Sequence, residues 1–121
     1  MLAAKYRFHG HAALRFVFGR GKTYRLKSLS LRVAHNPHRQ HSRAAVVISK
    51  KVIKASPKRN TVRRRVYEAL RLNWEHIAPG HDMVISIYDP NFLDKPEELA
   101  HELKKSLQVA QAWVDAPRAS H

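Results

Sequence analysis

The 121-residue chain has no cysteine, only four glycines, and almost no acid in its first two thirds. Without cysteine there are no disulfides and no thiolate metal sites. No apolar run approaches the roughly 18 residues needed to span a bilayer. The opening "MLAAKYRFHGHAALRF" lacks the continuous apolar core of a signal peptide. A cytoplasmic protein is therefore expected. Gly-x-Ser-x-Gly, P-loop and HExxH patterns are absent as well, which removes the usual signatures of nucleophilic, nucleotide-driven and zinc-dependent hydrolysis.

The scarcity of acid is uneven. Residues 1–74 hold 19 Lys and Arg against the single acid Glu68, whereas residues 75–121 hold 4 against 8. Self-repulsion on that scale opposes folding and is commonly offset by a polyanionic partner. Nucleic acid is the leading class. An anionic membrane would require a basic helix with a free, bulky apolar face, and the one strongly basic helix here needs that face for its own core. A metal-ion nuclease would bring two or three acids beside the basic groove, which Glu68 alone cannot supply.

Hydrophobic content of 44% over 121 residues fits one folded domain, expected over residues 1–115 with 116–121 fraying. The patterning predicts a helix at about 10–18. "YRLKSLSLRV" (24–33) reads as a strand whose alternation slips between Leu26 and Leu29, at a bulge or because the strand begins near Lys27, and 34–42 reads as a polar connection, though 23–42 could hold two strands. A central strand follows at 43–51. Ser56-Pro57 reads as the N-cap and first position of a long helix that stops before Pro79-Gly80. Its apolar arc is Val62, Val66, Ala69, Leu70, Trp74 and Ile77. A strand at 82–89 and a last helix opened by Asp94 and Glu97 complete the order. Leu99, Leu103, Leu107, Ala110 and Val114 form that helix's stripe. The fold class is α+β, with helices on a small sheet that has one face covered and one accessible.

Lys50–Arg71, "KKVIKASPKRNTVRRRVYEALR", carries nine Lys and Arg residues. At 100° per residue, Asn60, Arg64, Tyr67 and Arg71 line a stripe beside the apolar arc, with Arg59 and Arg63 close to the arc itself. A merely solvated helix would intersperse glutamates at i, i+4. This one crowds cations into its N-terminal turns, where the macrodipole disfavours them by some tenths of a kcal/mol each, an order-of-magnitude figure. A docked phosphate reverses that sign. The nine histidines include His9/His11 and the series His35, His38, His41, a pattern that invites a metal. In a Pro-containing loop without cysteine, scattered surface histidines fit better. His35, His38 and His41 gain charge below about pH 6.5 and would then add to RNA affinity.

"RAAVVISKKVIKASPKRNTVRRRVYEALRLN" closely resembles the signature of the bacterial ribonuclease P protein family. The matching blocks are Ser49-Lys50-Lys51, Lys54-Ala55, Arg59-Asn60-Thr61-Val62-Arg63-Arg64 and Glu68-Ala69-Leu70-Arg71. "LRFVFGRGK" (14–22) and "IAPGHDMVISI" (77–87) are similar to the family's flanking segments. Departures include one extra residue between Ala55 and Arg59, Ile53 and Ala45 where glycine is usual, Tyr67 where Arg or Gln is frequent, and Leu14 in place of an aromatic.

The resemblance implies a two-layer α/β sandwich ordered α-β-β-β-α-β-α. It has a small mixed sheet and a left-handed β-α-β crossover, against the usual preference; related sandwiches occur among ribosomal proteins. It implies a subunit without catalytic residues. Such a subunit binds a catalytic RNA, and the complex removes the 5′ leader from precursor tRNA with Mg²⁺ held mainly by the RNA. No organic cofactor, metal site, membrane or obligate protein partner is implied. Lys54, Lys58, Arg59, Asn60, Arg63, Arg64 and Arg65 are the expected contacts to the RNA subunit. Phe18, Ser49, Lys50 and Lys51, with Phe16 added, are the expected contacts to the leader. A general RNA-binding or ribosomal-type protein is the alternative, and core packing is the competing role for Phe16 and Phe18. If Arg59 and Arg63 each neutralise a phosphate, Arg59→Ala and Arg63→Ala will each weaken RNA binding. Each will also lower the slope of log affinity against log salt by roughly 1. Binding titrations across salt concentrations check this, and unchanged affinity and slope in both variants would refute it.

Overall fold

The computed structural model describes residues 6–7, 11–35, 40–89 and 95–115. Its elements are α1 (His11–Arg20), β1 (Lys22–Arg25), β2 (Leu29–His35), β3 (Arg43–Ile48), α2 (Ser56–Leu72), β4 (His81–Ile87) and α3 (Pro96–Val109). The sheet order is β1-β2-β4-β3. β1 and β4 each pair antiparallel with β2, while β3 and β4 run parallel, joined through α2. This is a small mixed four-stranded sheet with three helices.

The slip in the 24–33 pattern is a hairpin. The Leu26 N–H donates to the Leu29 carbonyl (2.9 Å), so one expected strand is two, starting at Lys22 and continuing to His35. Reversal at Leu26–Ser28 changes which parity faces the core, which is why strict alternation failed there.

α2 begins at Ser56, with Ala55 in the cap position and no side-chain cap bond; Ser56 is therefore in the helix rather than capping it. It ends at Leu72, earlier than the apolar arc suggested. Asn73 donates its side-chain amide to the Ala69 carbonyl (2.8 Å), and a 3-10 turn follows at Trp74–His76. Ile77 is still fully buried, but as a bridge partner of Trp113. α3 begins at Pro96 with Glu97 and Glu98 in its first turn, where the dipole favours acids; Asp94 lies outside the described residues, as do 116–121. The expected α3 stripe stops short of Val114, whose N–H instead donates to the His76 carbonyl (2.7 Å).

One sheet face presents Leu29, Leu31, Val33, Ala44, Val46, Ile48, Met83, Ile85 and Ile87. It is covered by Val62, Val66 and Leu70 of α2 and by Leu99, Leu103 and Leu107 of α3. The other face has a smaller cluster of Ala34, Ala45 and Val84 beneath Val17 of α1. Small side chains there allow α1 to sit close. Gly21 completes the approach, since a Cβ at that position would lie 2.5 Å from the Val17 carbonyl oxygen and 2.9 Å from that of Val33.

Tyr67 does not join a polar stripe with Asn60, Arg64 and Arg71. It is buried, and its hydroxyl accepts a hydrogen bond from the Val46 N–H of edge strand β3 (3.2 Å). The phenol is long enough to reach past the helix flank and satisfy a backbone donor that no neighbouring strand takes. Tyr67→Phe should destabilise the fold by about 1–2 kcal/mol, because the ring stays and a buried donor is orphaned. Equilibrium urea unfolding would show it, and a midpoint equal to the parent's would contradict this role.

Candidate nucleic-acid interface

The chain between β3 and α2 is a tight turn that throws its cations outward. The Val52 and Ile53 N–H groups both donate to the Ser49 carbonyl (3.1 Å each), and Ile53 is buried in the core. With Ile53 anchored, Lys50, Lys51 and Lys54 are left exposed, as is Ser49. Arg59 folds back over the turn, where its Nη1 donates to the carbonyls of Ile53 (3.0 Å) and Lys54 (2.7 Å). Arg59 is thus a clamp on the loop as well as a cation, so its removal loosens the loop besides subtracting a charge.

On α2 itself Lys58, Asn60, Arg64 and Arg65 are exposed, and Arg63 is half-buried. Arg63 Nη1 donates to Asn60 Oδ1 (2.6 Å), one turn back along the helix. The first turn contains no acid. Glu68, the one acid of this region, is engaged by Arg71, whose Nε donates to both carboxylate oxygens (3.0 Å each) and whose Nη2 donates to Oε1 (2.5 Å). This bond is the largest of the causes that hold the Glu68 carboxyl at about 2, well below the usual range. Toward the other end of the helix, Lys58 to Arg65, the sequence itself contains no acid, so five cations follow one another within two turns.

A second group lies on the sheet face that α1 partly covers. Phe16 and Phe18 flank buried Val17, 37% and 45% exposed respectively. Core packing is not their role. They sit about 200° apart on the helix, so they leave from opposite flanks. Arg20 lies over the Phe16 ring (5.8 Å) and Arg32 over the Phe18 ring (5.4 Å). Arg32 also ties α1 to the sheet. Its guanidinium donates to the Val17 carbonyl (3.3 Å), the Phe18 carbonyl and Thr23 Oγ1 (2.8 Å), at the helix C-terminus where the dipole favours a cation.

α1 packs chiefly over β2 and β4. Beyond it the same face continues through Ser30 and Ser86 to Tyr88, which is 40% exposed and donates its hydroxyl to Ser30 Oγ (2.7 Å). Arg25 lies over the Tyr88 ring at 5.0 Å. Exposed rings with cations beside them, above a floor of small hydroxyls, are what unstacked bases and a phosphate backbone require. Arg32, Arg25 and Tyr88 were not among the residues expected from sequence. The placement of Arg32 opposite Leu31 and Val33 was legible in the alternation, but the meeting of Arg25 with Tyr88 depends on strand register.

Of the expected residues, the structure brings Lys54 and Arg59 together in the clamp and Asn60 and Arg63 together on the helix. Ser49–Lys51 end β3, and Phe16 and Phe18 stand apart on α1. The histidines are dispersed into separate ring contacts. His41 meets Tyr6 (5.3 Å), His76 stacks on Trp113 (4.5 Å, 4° between planes), and His35 meets His81 (4.8 Å). His38 and His9 lie outside the described residues. Among the described residues no group of three or more His, Asp and Glu side chains could hold a metal, and no helix is long and apolar enough to cross a membrane.

Fold and charge together define a basic α+β sandwich shaped to lie against a polyanion. The ribonuclease P family model matches residues 2–111, and the chain belongs to the ribonuclease P protein family. It is 37% identical over 97 residues to the ribonuclease P protein component of Clostridioides difficile, covering 76% of this chain and 83% of that one. It is 29% identical over 106 residues to that of Geobacillus kaustophilus, covering 84% and 87%. Among solved structures, the RNase P protein of Staphylococcus aureus superposes with a TM-score of 0.77 at 20% identity, over 89% of this chain and 97% of that one. The RNase P protein of Thermotoga maritima gives 0.63 at 25% identity, over 76% and 89%.

Because the Glu68 carboxyl is held down in the folded chain, the stabilisation it contributes is fully present above the unfolded carboxylate range. That contribution is lost as pH falls through about 2. Carboxyl-carbon NMR should show Glu68 titrating near there, and Arg71→Ala should return it toward the ordinary carboxylate range. An unmoved midpoint in the variant would dismiss Arg71 as the cause.

Proposed function

We propose that this chain is the protein subunit of ribonuclease P, binding the catalytic RNA subunit and the 5′ leader of precursor tRNA so that the leader is removed endonucleolytically. Membership of the family supports this reading over a general RNA-binding role. The observation that carries it is the run of exposed cations along the β3–α2 turn and the first turns of α2, a stretch of sequence whose one acid, Glu68, is engaged by Arg71.

Lys54, Lys58, Arg59, Asn60, Arg63, Arg64 and Arg65 are assigned to the RNA subunit. Their charges neutralise phosphates and release counterions, while Asn60 bonds to ribose or a base edge. Phe16, Phe18, Ser49, Lys50 and Lys51 are assigned to the leader, joined by Arg25 and Tyr88. Rings and cations grip a single strand without reading its bases, which suits leaders of varied sequence.

Mg²⁺, when bound, supplies the activated nucleophile and the stabilisation of the leaving oxygen. We assign that role to the RNA; among the described residues no group of three or more His, Asp and Glu side chains could hold a metal ion. The chain's own residues hold the RNA and leader in place and lower the electrostatic cost of bringing two polyanions together. The setting is the cytoplasm, where precursor tRNA is made.

The test is cleavage of a precursor tRNA by the cognate RNA subunit at low Mg²⁺, with and without this protein. Leader removal restored by the protein, which is inert alone, is the expected result. No stimulation, or cleavage by the protein by itself, would overturn the assignment.

A further inference from the structure

We infer a second anion site, at the end of the sheet opposite the basic turn, that takes a phosphodiester of the bound RNA and gains protons on His35 and His81 as it does so. His35 and His81 are direct partners in the antiparallel β2–β4 pair. Their side chains therefore leave the same face of the sheet, and their rings lie 4.8 Å apart, tilted by 31°. With Arg20, Lys22, Tyr24 and Val33 they line a cleft of about 570 Å³, closed off by Ala110 and Gln111 just past the end of α3.

Among the described residues the lining contains no carboxylate. α1 contributes Arg20, β1 contributes Lys22 and the neutral phenol of Tyr24, β2 and β4 contribute the two imidazoles, and Ala110 and Gln111 past the end of α3 contribute no charged side chain. The acid next to His81 in sequence, Asp82, has the opposite parity and so belongs to the other face, where it pairs with Arg43 (3.2 Å, Asp82 side chain 1% exposed). Residues 36–39, Asn-Pro-His-Arg, contain no acid.

The His81 ring is held in place. Its Nδ1 lies 3.0 Å from the Ala78 carbonyl and its backbone N–H donates to Ser42 Oγ (2.9 Å). A neutral His81 therefore carries its proton on Nδ1, and Nε2 is the atom that gains one. Charging two imidazoles at this separation, beside Arg20 and Lys22, is unfavourable unless an anion joins them. A phosphodiester in the cleft reverses that sign, so binding and proton uptake are linked, and affinity rises as pH falls.

The placement suits RNA rather than an isolated phosphate. The basic turn follows Ile48, paired with Ile87, while the histidines sit at the other end of β4, beyond the Arg43–Asp82 pair. At about 3.3 Å per residue the two sites are on the order of 20 Å apart, far enough to engage separate backbone segments of one folded polyanion.

Two measurements on the full chain test this. The first is histidine-ring NMR titration with and without inorganic phosphate. Phosphate should raise the midpoints of both His35 and His81, and Lys22→Gln should shrink the change; midpoints that do not move overturn the site. The second is affinity for the ribonuclease P RNA subunit at pH 7.5 and 6.0, at fixed salt and Mg²⁺. This arm rests on the function proposed above. The parent should tighten about fivefold on acidification, and exposed His35→Gln, alone or with His81→Asn, should remove most of that gain. A phosphate response with RNA affinity independent of pH overturns RNA as the occupant in favour of free phosphate. A parent that fails to bind the RNA at either pH counts against the proposed function instead.

Discussion

Burial of Val62, Val66 and Leu70 against the sheet is what holds this like-charged surface together. Each such side chain stabilises by about 1.5–3 kcal/mol when removed from water, as an upper estimate. Crowding cations into the first turns of the same helix costs only some tenths of a kcal/mol each. The apolar arc therefore wins, and α2 can present a row of arginines without unwinding. Everything assigned to RNA on that side, including the turn that Arg59 clamps through the Ile53 and Lys54 carbonyls, is positioned by that packing.

The sheet is used on both faces, unequally. One face is given over to α2 and α3 and makes the main core. On the other, α1 is drawn close by Gly21 and small side chains, and covers only part of the surface. The uncovered part runs from the α1 flank toward Ser30 and Tyr88, the region where rings and cations lie exposed. Arg32 illustrates how closely structure and surface are joined. The guanidinium that fastens α1 to the sheet also lies over the Phe18 ring, so the outer aromatic is fixed by the same contact that closes the fold.

Much of the cationic site was legible in the residues themselves. The Ser-Lys-Lys turn, the Arg-Asn-x-Val-Arg-Arg block and the apolar arc are local patterns, and the structure keeps them in the order in which they were read. Tyr67 was misread because helical phase placed it beside the arc, whereas its length and hydroxyl make it the cover of a strand edge. Arg59 was read as a free cation because nothing in the spacing shows that the turn's carbonyls would come within its reach. The hairpin at Leu26–Ser28 was read as a flaw in one strand, since a turn without glycine or proline leaves only a change of parity as its trace.

The sequence by itself determined the charge, the helices and all but the first strand to within a few residues, and the family, because each rests on residue type and short-range periodicity. Tertiary structure alone decided the strand register. Register placed Arg25 over Tyr88 and set His35 opposite His81 across 45 residues of intervening chain. Such pairings follow from how distant strands align when their apolar faces are buried together, and no local pattern encodes them.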